Sequence, residues 1–211
     1  MIAKETEAEI VRLYHRFAQL VAVIAVALTV TLASSAESLL FAWTGDRELS
    51  RAAAPVLRLY AIGNGLLAIS AFPFYIQYAR GNLRYHLIGN VGLIALLIPG
   101  IVFAALHFGG IGVGWLWMGM NVLYLFGWVA FVHGRLEPGL HAEWIRRNVL
   151  TIMVPTSLVG VAAAVLHHEG LTNRWTALAD VALISIACMA TACLASSDIR
   201  GQLRRGRFFG S

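Results

Sequence analysis

The chain has 211 residues, of which 59% are hydrophobic and only 13% are Asp, Glu, Lys or Arg, with a formal net charge of +5. That is far too little polar surface to coat a water-soluble globule, so the composition describes a membrane protein. Residues 1–16 are charged and mixed (Lys4, Glu5, Glu7, Glu9, Arg12, Arg16) and read as a cytoplasmic amphipathic lead-in rather than a signal peptide. Apolar runs then follow at 17–43, 55–78, 87–107, 111–133, 149–166 and 175–195. Crossing a hydrocarbon core of roughly 30 Å takes about 20 helical residues, which each run approaches or exceeds. The runs are apolar at successive positions instead of alternating ones, which selects helices over a β-barrel. The expected fold is therefore an all-α polytopic membrane bundle of about six transmembrane helices over 17–195, followed by a basic cytoplasmic tail at 196–211.

Lysine and arginine resist translocation and mark cytoplasmic segments. With the N-terminus inside, Lys4, Arg12, Arg16, Arg80, Arg84, Arg135, Arg146, Arg147, Arg200, Arg204, Arg205 and Arg207 fall on the inner side. Arg47, Arg51, Arg58 and Arg174 fall on the outer side, a split of twelve against four out of sixteen cations. Both termini are expected to be cytoplasmic, and the net charge becomes an inner-leaflet collar facing anionic lipid. No nucleic-acid partner is needed to explain it.

No Gly-x-Ser elbow, His-Glu-x-x-His, glycine-rich phosphate loop or Cys-x-x-Cys occurs in the chain. Cys188 and Cys193 are five apart in the last run, face different directions and read as packing residues. His167, His168 and Glu169 are the one cluster of metal-ligand types, on a predicted outer loop, and carry the reading of a membrane-embedded enzyme. No catalytic residue, resident metal or cofactor is expected.

The informative polar groups lie inside the apolar runs, where an unmatched amide or hydroxyl is costly and turns toward another helix or a wet cavity. Tyr60, Asn64, Ala71, Tyr75 and Tyr78 share one face of the second run. Trp117, Asn121, Tyr124 and Trp128 repeat that stripe in the fourth, and His86 and Asn90 lie one turn apart at the start of the third. Two readings stay open for these groups: hydrogen-bonded glue between helices, or the lining of a solute pathway. The candidate pathway residues are Arg58, Tyr60, Asn64, Tyr75, Gln77, Arg80, His86, Asn90, Trp117, Asn121 and Tyr124. Pro73, Pro99-Gly100 and Pro155 interrupt the helical ladder and allow bending. Small residues at Gly110 and Gly114 allow close backbone approach.

The stretch FPFYIQYARGNLRYHLIGN (72–90), the Pro-Gly break in LIPGIV and FGGIGVGWLWMGMNVLYLF (108–126) together resemble the C-terminal part of the O-antigen and polysaccharide flippases. These belong to the multidrug, oligosaccharidyl-lipid and polysaccharide exporter superfamily. LYHRFAQL, SAESLLFAWTGD and APVLRLYAIGN are similar to the same family's preceding helices. The resemblance, over about 11–155, implies a transporter, or the C-terminal portion of one, in a bacterial inner membrane. Its substrate would be an undecaprenyl-diphosphate-linked sugar repeat unit, moved between leaflets in a cavity between two helical lobes. Such a chain would work against an N-terminal half or in a homo-oligomer. A non-catalytic partner subunit in envelope polysaccharide assembly is the alternative.

Overall fold

The computed structural model describes residues 2–79, 81–136, 139–166 and 173–205. Among these every regular element is helical. In chain order they are α1 (Ile2–Ser34), α2 (Ala36–Thr44), α3 (Arg47–Ser70), α4 (Phe72–Ala79) and α5 (Arg84–Leu123). A π-helical segment (Tyr124–Val129) leads into α6 (Ala130–Leu136). Then come α7 (Leu140–Trp144), a second π-helical segment (Ile145–Leu150), α8 (Thr151–Leu166), α9 (Arg174–Ala195) and α10 (Ser197–Arg205).

Among the described residues, five helical stretches are long and apolar enough to cross a membrane: Arg12–Ser34, Arg47–Tyr75, Arg84–Arg135, Leu140–Leu166 and Arg174–Ala195. The third, at 52 residues, would measure roughly 78 Å if straight, more than twice the hydrocarbon thickness. It is bent at Gly109, whose φ of 62° and ψ of −157° belong to a region that only glycine enters without strain. The two legs, 84–108 and 110–135, stand where the sequence places two separate helices. The all-α membrane bundle is thus the observed fold.

Several boundaries differ from the expected ones; the fifth span, for one, begins at Leu140 and not at 149. The first run is broken at Ser35 (φ −107°, ψ 21°). There the Ser34 and Ser35 hydroxyls donate to Val30 O (2.7 Å) and Thr31 O (2.6 Å), offering those carbonyls partners other than the helical amides. The second span begins at Arg47, eight residues before Pro55, because Gly45 in the left-handed region ends α2 and Asp46 Oδ1 accepts from Leu49 N at 3.0 Å to start α3. Pro55 therefore lies inside a helix. The lead-in at 2–16 is continuous with α1 instead of forming a separate element.

α1 is the central post, packing against α3, α8 and α9. Its buried face is mostly alanine and valine (Ala18, Ala22, Val23, Ala25, Val26, Ala27), which lets neighbouring backbones come close. Gly65 of α3 lies against Thr29, and Gly160 of α8 against Val30. Leu125, Val129, Trp144, Val149 and Ile152 complete this core. The 84–108 leg is different: Gly89 and Ala104 are its only buried residues among those described.

Gln19 of α1 bonds to Ser196 and Ser197, so the two terminal regions meet at one end of the bundle. At the opposite end Arg174 donates to Ala42 O (3.0 Å) and Trp43 O (2.8 Å), and Arg51 pairs with Glu37 at 3.2 Å.

Candidate functional site

The two polar stripes read from the sequence meet. α3 and the second leg of α5 lie side by side, and Trp117 Nε1 donates to Asn64 Oδ1 at 3.2 Å while Tyr60 stacks on the Trp117 ring (centroids 6.4 Å apart, planes 26° apart). Trp117 can come this close because Gly63 beneath it has no side chain, and Gly114 gives Leu59 the same clearance one turn away. Asn121 is buried, donates from Nδ2 to Trp117 O at 2.8 Å, and has no protein partner for its Oδ1 among the described residues. Tyr124, half-buried, opens the first π-helical segment. Asn64 itself is exposed, as is Tyr75 at 58%. Arg58, half-buried on α3, makes no hydrogen bond or ion pair with the described residues.

This wall of Tyr60, Asn64 and Trp117 faces outward from the bundle. If water reaches it in the membrane, single cysteines at 64, 71 and 75 should react with a membrane-impermeant thiol reagent. A cysteine at 69, where Ile69 is 4% exposed, should not, once Cys188 and Cys193 are replaced. Equal protection at all four positions would leave the face to packing alone.

Gln77, His86 and Asn90 form a separate group at the 77–90 turn. Gln77 is buried; its Nε2 donates to Pro73 O (3.1 Å) and its Oε1 accepts from His86 N (2.9 Å), so one side chain closes α4 onto the first turn of α5. Asn90 Nδ2 donates to His86 Nε2 at 3.0 Å, and the His86 ring packs on Phe74 at 4.8 Å. In this geometry the three residues hold a turn together and are not joined to the Tyr60–Trp117 wall. Arg80 lies outside the described residues, and so do His167, His168 and Glu169. Among the described residues no three His, Cys, Asp or Glu side chains converge as metal ligands. Cys188 is buried and Cys193 half-buried, both as free thiols.

Sequence reading missed a second polar network, at the end where the terminal regions meet. Tyr14 OH lies 2.8 Å from His133 Nε2, and His133 Nδ1 lies 3.1 Å from His141 Nδ1. Beside them Asn148 Nδ2 donates to His15 Nδ1 at 2.9 Å. One turn further along α1, Gln19 Oε1 accepts from Ser196 Oγ (2.8 Å) and Asp198 N (3.1 Å), while its Nε2 donates to Ser197 Oγ (2.9 Å). Apart from His133 and His141, which are eight positions apart, the partners are separated by more than a hundred positions in the chain, and no local spacing announces the group. The available signal was the placement of Tyr14, His15 and Gln19 on successive turns of a helix whose next residues are apolar.

The chain matches no known protein-family model, no curated protein and no solved structure. The class defined by fold and site is a polytopic α-helical membrane protein with a polar and aromatic wall on the outside of its bundle and a histidine network at one end.

Proposed function

We propose that the chain is a membrane transport component that moves lipid-linked oligosaccharide across the bacterial inner membrane, its Tyr60–Asn64–Trp117 face forming one wall of the passage. The observation that carries this reading is the outward position of that wall. An exposed amide within a membrane span is unfavourable against lipid tails. Facing a sugar it is well matched, since hydroxyls bond to amides and the C–H face of a pyranose packs on indole and phenol rings. Arg58, without a partner among the described residues, would supply the guanidinium for a diphosphate, an anion that such groups bind in a bidentate manner. Breaks at Ser35, Ala71 and Gly109 give the helices places to bend as the passage opens on alternate sides. The facing wall would come from a second helical unit, either another copy of this chain or an N-terminal half.

One observation favours the alternative of a non-catalytic partner subunit: the Trp117–Asn64 bond already satisfies the indole N–H and the Asn64 carbonyl oxygen. A photoreactive amino acid at position 64, in native membranes, separates the two. The transport reading expects adducts with undecaprenyl-diphosphate-linked sugar at 64 and phospholipid adducts at the exposed Leu183. Adducts with another protein at 64, and none with the sugar lipid, would establish the subunit reading instead.

A further inference from the structure

The histidine network belongs to no part of the proposed passage, and its hydrogen atoms can be assigned by elimination. Tyr14 is buried and its hydroxyl has one partner among the described residues, His133 Nε2, so the hydroxyl donates and that nitrogen accepts. The single proton of a neutral His133 is then on Nδ1, which donates to His141 Nδ1. The proton of neutral His141 is consequently on Nε2, and the residue is half-exposed. Every nitrogen between Tyr14 and His141 is used in this arrangement. An added proton has no place to go without breaking a bond. On His141 Nδ1 it would bring two N–H groups face to face. If the chain of donors reversed, His133 Nε2–H would donate to Tyr14, and the buried phenolic hydrogen would lose its acceptor.

Among the described side chains, none offers the extra charge a counter-ion. His133 is fully buried, with Trp144 edge-on at 5.2 Å and Tyr14 edge-on at 6.0 Å. Among the described side chains, the ionisable groups on the packed elements are His15, Arg12 and Arg16 from α1, and Tyr75 and Tyr78 from α4; Lys4, Glu5, Glu7 and Glu9 of α1 lie outside that set. α6 brings Arg135, α7 brings Glu143, the following π-helical segment brings Arg146 and Arg147, and α10 brings Asp198 and the exposed Arg200. Arg12, Arg16, Tyr75, Tyr78, Arg135, Glu143, Arg146 and Arg147 are exposed, and Glu143 is engaged with Arg147 at 3.8 Å. His15 and Asp198 lie on the Asn148 and Gln19 side of the network, the first bonded to Asn148 and the second to Gln19 through its backbone N–H.

We propose that the His133–His141 pair is a proton-binding site, and that a proton taken from water there separates the segment carrying these two histidines from α1, opening this end of the bundle. The bound form is the separated one because an imidazolium gains water there and the clash between N–H groups disappears. This conclusion does not depend on what the chain transports.

Trp144, 1% exposed and in ring contact with both histidines, is a built-in reporter. The experiment is a pH titration of intrinsic fluorescence for the full chain in lipid nanodiscs, with the Trp144→Phe spectrum subtracted to isolate this residue. As pH falls from about 8 to about 4 its emission should move reversibly to the red as water arrives. The shift should be lost in His133→Gln and in His141→Asn and kept in His15→Gln. His141 is half-exposed, so its replacement leaves the core intact should His133→Gln fail to fold. An emission maximum that stays constant in the unmodified chain overturns the proposal, as does a shift that survives in His141→Asn or disappears only in His15→Gln. Quenching without a red shift would show proton binding without opening and would overturn the opening.

Discussion

Gly65→Leu is expected to abolish stable folding of the bundle, and Gly65→Ala to cost about 1–3 kcal/mol, the usual penalty for overfilling a packed interior. A Cβ at position 65 would come within 2.9 Å of both Cβ and Cγ2 of Thr29, with Thr29 Oγ1 closer still. Thr29 is β-branched and sits on the central post, so its side chain cannot rotate away from a clash that involves its own Cβ. The two helices would have to part, undoing contacts along α1 and α3. Gly119→Ala supplies the control: nothing lies within 4 Å of the added methyl group, and stability should be unchanged or up to about 1 kcal/mol higher. Thermal unfolding in detergent measures all three. Thr29→Gly should restore part of the loss in the Gly65→Ala background, a coupling that two unrelated defects would not produce.

Gln19→Leu is the second change with a large expected effect, about 2–4 kcal/mol. One side chain, 1% exposed, serves α1, the second π-helical segment and the start of α10: it accepts from Ser196 Oγ and Asp198 N and donates to Ser197 Oγ and to Arg147 O at 3.3 Å. Leucine fills the volume but leaves those groups unmatched, and a stranded buried donor or acceptor costs about 1–3 kcal/mol. Side-chain bonds in membrane bundles average only about 0.6 kcal/mol, which holds the expectation below the simple sum. The local signature is distinctive: the amide of Asp198 should lose protection from hydrogen exchange while amides in the middle of α9 keep theirs. A uniform loss along both helices would mean that Gln19 stabilises the whole bundle and does not specifically dock α10.

The helices were legible because their cause is local. Apolar length alone locates the crossings, and a glycine-rich stretch at 109–114 locates the bend between the third and fourth. The start of the second span was less so, since Pro55 suggests a beginning when in fact the Gly45–Asp46 pair supplies it and the proline is accommodated two turns later. The stripes on α3 and α5 were each visible, but that Trp117 would donate to Asn64 depends on Gly63 and on the relative rotation of two helices, which a periodicity cannot give. Tyr14, His133 and His141 were invisible as a group for a similar reason. Only the packing of α1 against the segment after Gly109 brings position 14 to position 133.

The first leg of α5 is fastened at its start, through Gln77, the Phe74 and Phe131 rings and Trp128 over Gly89, and beyond that turn Ala104 is its only buried residue among those described. A rod so lightly fastened takes its tilt from the thickness of the hydrocarbon around it, because tilting is how a long apolar helix matches a thin bilayer. The angle at Gly109 then becomes a mechanical variable set by lipid chain length. Thickness would then reach the ring of Trp117 through the second leg, and the same molecule would present a differently shaped wall in short-chain and long-chain membranes.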